Sequence, residues 1–160
     1  MPNDRANQEK MNVHSMIRRR LPVVLLVLCG CAHTDARNGE TPPQMLIGAF
    51  VDDYDIAYRI SAQEWQQLPN TRYRVVRWNP EAQYLIAQND ASNASDPGLW
   101  TRIDWIALPG MPPYEWAFCL SAYAAPTQAD AERTTIARRD QPKTGCNGFP
   151  FSRMRRGSQR

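Results

Sequence analysis

The sequence predicts a mainly β domain over residues 45–152, an antiparallel sheet or small barrel of about six strands with one or two short helices. Three observations predict it. Short apolar runs recur between clusters of turn residues. No strand–helix alternation of the kind a parallel sheet needs runs through the chain. Five tryptophans and six tyrosines supply the bulk with which a small sheet fills its core.

The elements follow in chain order. Residues 46–51 and 56–60 flank Asp52-Asp53-Tyr54-Asp55 as a hairpin-like pair. Ser61 with Glu64 matches a capping box, which predicts a short helix over 62–68 that Pro69 stops. Residues 72–78 and 83–88 flank Asn79-Pro80-Glu81-Ala82, the clearest hairpin in the chain. Residues 89–98 are an Asn/Asp/Ser-rich loop. Over 99–108 side chains alternate, with Leu99, Thr101, Ile103 and Trp105 on one face and Trp100, Arg102, Asp104 and Ile106 on the other. Pro109 to Pro113 form a loop, 116–123 a further strand, and Thr127 with Asp130 caps a helix to about Arg139. Residues 141–156 look irregular, and 153–160 read as a basic tail carrying Arg153, Arg155, Arg156 and Arg160.

The first forty residues read differently. Arg18, Arg19 and Arg20 precede the apolar run Leu21 to Leu28, which ends in Cys29-Gly30-Cys31. This is the order of a signal peptide, here 1–30, with Met16 or Met11 as alternative starts. Eight residues rise only about 12 Å as a helix, too little to span a bilayer. Leu28-Cys29-Gly30-Cys31 resembles the lipobox of bacterial lipoproteins, an aliphatic residue three before an obligatory cysteine and a small residue directly before it. Cys31 fits, whereas Cys29 follows the bulky Leu28. The resemblance implies cleavage before Cys31, a diacylglyceryl group on its sulfur and a further acyl chain on its amine, and so a firm membrane anchor. Ala32 rather than aspartate after the cysteine implies the periplasmic face of the outer membrane rather than the inner membrane. Residues 31–44, polar with a Pro pair, form a lipidated tether.

Charge is uninformative once the signal is set aside. Five of the nineteen basic and two of the sixteen acidic side chains lie in residues 1–30, leaving fourteen of each sign. The net +3 therefore argues for no nucleic-acid partner. His14 and His33 both precede the domain, which excludes Ser-His-Asp or Cys-His catalysis and histidine-ligated zinc within it. No glycine-rich phosphate loop is present, and no cofactor or metal is expected. With Cys29 removed and Cys31 acylated, Cys119 and Cys146 remain, and in an oxidising compartment the pair is most simply a disulfide.

Three groups could carry chemistry. Asp52, Asp53 and Asp55, or Asn89, Asp90, Asn93 and Asp96, offer oxygens to calcium, against which stands the turn chemistry of these residue types. Glu64, Asp104 and Glu115 could pair as the acid and base of a cell-wall or glycan hydrolase. Trp100, Trp105, Arg102 and Asp104 are the candidate ligand or partner contacts, because the opposite parity of the two tryptophans puts one off the core unless a bulge intervenes. The Tyr/Trp-rich pattern resembles calycin-like barrels, a resemblance that implies a small apolar ligand. The leading expectation is a non-enzymatic envelope lipoprotein that binds a ligand, an envelope protein or a glycan. A hydrolase and a structural envelope component are the alternatives.

Overall fold

The computed structural model describes residues 40–158. Eight antiparallel strands follow one another around a closed barrel: β1 (Gly48–Asp52), β2 (Ala57–Ile60), β3 (Glu64–Gln67), β4 (Thr71–Asn79), β5 (Tyr84–Asn89), β6 (Trp100–Ala107), β7 (Tyr114–Ala125) and β8 (Ser152–Arg156). The last strand returns to the first, pairing Phe50 with Arg156 and Asp52 with Met154, so no strand edge is left unpaired. One helix, α1 (Gln128–Arg133), interrupts the series between β7 and β8.

The barrel has eight strands where about six were expected, and three elements differ from expectation. Where a helix was expected over 62–68, β3 forms. Ser61 Oγ accepts from the backbone N–H of Glu64 at 3.0 Å, the same hydrogen bond as in a capping box, here tightening the β2–β3 turn. Where a basic tail was expected from Arg153, β8 forms instead. Its lone inward Met154 is fully buried, while Arg153 and Arg155 meet Asp53 and Asp55 at 2.9 and 3.0 Å. The helix begun by Thr127 is shorter than expected, with the Thr127 hydroxyl accepting from Asp130 N–H at 3.1 Å.

Alternate residues meet in one core, where the aromatic side chains pack edge to face. Trp65 and Phe118 centroids are 5.2 Å apart, Phe50 and Trp116 5.1 Å, and Tyr58 and Phe118 5.6 Å. Trp78 and Trp105 form a second pair at 5.9 Å. Eight strands enclose an interior just wide enough for side chains to fill, and these rings fill it. A register shift between Val75 and Arg77 lets Tyr73, Val75 and Trp78 all be buried despite their mixed parity. At the end where β1 starts, a 3-10 turn (Gln44–Leu46) places Leu46 in the core. Arg156 holds this entry by donating to the carbonyls of Ile47 and Met45 at 2.9 and 3.2 Å, with its guanidinium 4.5 Å from the Phe50 ring centre.

Candidate binding groove

β6 is buried on both faces, all six residues from Thr101 to Ile106, which an exposed barrel wall would not be. The cover is the excursion between β7 and β8, a strap over residues 126–151. Three devices hold it. α1 packs on β5, β6 and β7, where Arg102 donates to the carbonyl of Glu132 at 2.8 Å. The Cys119–Cys146 disulfide ties the strap to β7, with Cα atoms 5.5 Å apart. The third device is Asp104, 1 % exposed, whose carboxylate accepts from Arg102 at 2.8 and 3.0 Å, from the Ser121 hydroxyl at 2.5 Å, and from Arg139 of the strap. Arg139 donates as well to the carbonyls of Ala82, Gln83 and Trp105, and the Arg102 guanidinium lies 3.9 Å from the Tyr84 ring centre. A buried carboxylate with this many donors is compensated rather than reactive.

Beside this latch the strap, the β1–β2 turn and the β6–β7 loop enclose a groove of about 460 Å³ on the outer wall. Leu108, Ala117 and Phe151 line it as buried apolar surface, continuous with the cluster behind the disulfide. Tyr54 and Met111 stand at it 66 % and 42 % exposed and offer apolar surface at its rim. Pro142 and Pro150 stiffen the strap side. Two cations also line it. Arg153 donates to Asp53 from its backbone N–H and its side chain at 3.1 and 2.9 Å and lies 4.7 Å from the Tyr114 ring centre; the Asp53 hydrogen bond raises its pKa further. Lys143 is exposed, and no hydrogen bond or ion pair among the described residues engages its ammonium group. A second cavity, about 470 Å³ on the wall of β1 to β3, is lined by Arg59, Ser61, Glu64 and Gln66 together with Ala49 and Ile60.

The expected contact residues are distributed otherwise. Trp105 packs in the core against Trp78, Trp100 is half-buried near the start of β6, and Arg102 and Asp104 join in the latch beneath the strap. The structure thus brings Arg102 and Asp104 together and places Trp105 on the opposite face of β6. Glu64, Asp104 and Glu115 stand on β3, β6 and β7, with Glu64 bound to Gln66 and Glu115 to Arg156, so they assemble no pair. Asp52, 2 % exposed, accepts from the N–H groups of Tyr54 and Ile56 and from the Tyr58 hydroxyl, each at 2.9 Å. Burial, and then the Asp52 charge, push the Tyr58 phenol far above the ordinary tyrosine range. Asn93 brackets the Arg72 backbone, Asn89 donates to the carbonyls of Asp96 and Tyr123, and Asp90 accepts from Ser92, so these three members of the second oxygen-rich run are engaged within the fold, Asp90 alone by a purely local turn bond. Trp116 Nε1–H is buried without a hydrogen-bond partner. Cys31 lies outside the described residues.

Lys143, Tyr54 and Met111 escaped the sequence reading. Lys143 carried one available signal, since in a chain whose cations are otherwise arginine it is the sole lysine after Lys10. The fold and groove define a disulfide-stabilised, eight-stranded antiparallel β-barrel with a strapped outer wall. No protein-family model matches the chain, and no curated protein or solved structure matches it.

Proposed function

We propose that this chain is a membrane-anchored envelope lipoprotein, acylated on Cys31, whose barrel is a binding module that works through its outer groove rather than through its interior. The observation that carries the reading is the Cys119–Cys146 disulfide. Bridges of this kind persist in oxidising compartments, the destination that the lipobox Leu28-Cys29-Gly30-Cys31 implies. The bridge also anchors the strap segment that walls the groove, and a wall held in place before binding lowers the ordering cost of a ligand.

Aromatic packing in the barrel speaks against an interior site of the calycin kind, because the Trp and Tyr set that would line such a cavity occupies the space itself. The groove has the volume of a small-molecule site, roughly 300 to 1,000 Å³, and the mixture of apolar surface and few polar groups that such sites share. A tether of fourteen residues, 31–44, reaches at most about 50 Å when fully extended. The barrel then works close to the membrane surface, on the periplasmic face of the outer membrane. Nucleic acid has no place in this reading.

Metabolic labelling with palmitate tests the anchor. Label is expected on the wild-type chain and absent from Cys31→Ser. A wild-type chain that takes up no label, or a variant that keeps it, overturns the proposal.

A further inference from the structure

We infer that the outer groove takes a small amphiphilic anion, an apolar body against Phe151, Leu108 and Met111 with a carboxylate at Lys143; the inference rests on the groove being the binding site. Charge complementarity selects the class. Arg153 and Asp53 compensate each other at 2.9 Å, so the groove's uncompensated charge is the Lys143 ammonium. An uncharged ligand would leave that charge unused, and a cation would meet repulsion from it. A bare small anion would pair with one exposed ammonium only weakly, because such pairs contribute little in water. The apolar surface beside it supplies the rest: Phe151 and Leu108 are buried, while Tyr54 and Met111 are exposed and would lose water contact under an apolar chain. The cavity on β1 to β3 exposes less apolar surface than the groove, and Arg59, Glu64 and Gln66 stand in its wall.

Two footprints on the full-length chain in native membranes test this, read by peptide mass mapping. Acylation of Lys143 by an amine-reactive ester reports on the head-group end, and peroxide oxidation of Met111 reports on the apolar end. Decanoate is the probe, with decanol and acetate as controls. Decanoate is expected to slow both modifications at least fivefold, acetate neither, and decanol to slow Met111 oxidation only at several-fold higher concentration. Lys143→Met is expected to raise the decanoate concentration needed to protect Met111 about three- to fivefold. Equal protection of Met111 by decanol and decanoate, or no effect of Lys143→Met, overturns the anionic class while leaving the groove as a binding site. Equal protection of Lys143 by acetate and decanoate overturns the apolar half. If neither decanoate nor decanol protects Met111, the groove reading itself fails.

Discussion

Asp104 and Cys119 stand opposite each other in the β6–β7 ladder. The carboxylate that receives Arg139 and the sulfur that bonds Cys146 therefore project from adjacent strands onto the same outer face, and the strap is held at neighbouring points by a covalent bond and by charge. Both face the strap because the other side of β6 and β7 is committed to the core through Ile103, Trp105, Trp116 and Phe118.

The covalent point constrains a loop with a sequence separation of 27. On the chain-entropy model a loop of that length contributes about 3.5 kcal/mol. Cys119→Ser with Cys146→Ser is expected to lower the urea midpoint accordingly. Amides of residues 137–149 should lose hydrogen-exchange protection well before those of β4 and β5.

Removing the charge at Asp104 is expected to be costlier than removing its partner in the strap. Asp104→Ala leaves Arg102 buried without a counter-charge, a loss of about 3 to 5 kcal/mol in urea unfolding. Arg139→Gln leaves Asp104 still bonded to Arg102 and Ser121, and the loss should be smaller. Equal effects would show that the latch does not work as described.

Gly145 admits no side chain. A Cβ there would lie 2.0 Å from the Arg138 carbonyl oxygen and 2.6 Å from that of Gln141, both backbone atoms. Gly145→Ala is expected to unseat the strap, with protection lost at residues 138–148 and retained in the barrel. A variant with wild-type exchange throughout would contradict the packing.

The Tyr58 phenol gives the chain an alkaline limit. Its folded pKa is raised above the ordinary 10.0, so its contribution to stability is complete below about pH 10 and is lost as pH rises above it. Tyr58→Phe removes a donor to the buried Asp52 and is expected to cost about 1 to 3 kcal/mol at neutral pH. Its stability should then fall less steeply than wild type above pH 10. Some slope remains, because burial raises the Tyr73 phenol too.

Alternation made the β6 faces legible, since period-two patterning depends only on the local chain. Thr101, Ile103 and Trp105 are inward and Arg102, Asp104 and Ile106 outward, as the sequence predicts. The cover over that outward face was not legible, because it comes from a strap whose contacts to β6 span 30 and 35 residues. β8 was hidden for the same reason. Ser152-Arg153-Met154-Arg155-Arg156 has one apolar residue, and its arginines find Asp53 and Asp55 a hundred residues away. Ser61 and Glu64 misled because a hydroxyl accepting from the third following N–H serves a tight turn as well as a helix start. The groove draws on segments far apart in sequence, from Asp53 to Arg153, and no local pattern marks such an assembly.

A non-reducing peptide map of the full chain recovered from membranes reads export and the bridge together. An N-terminal peptide that begins at acylated Cys31 is expected, with a linked pair of peptides containing Cys119 and Cys146. Peptides that retain Leu28-Cys29-Gly30-Cys31 intact and unmodified, with both downstream thiols free, would contradict both.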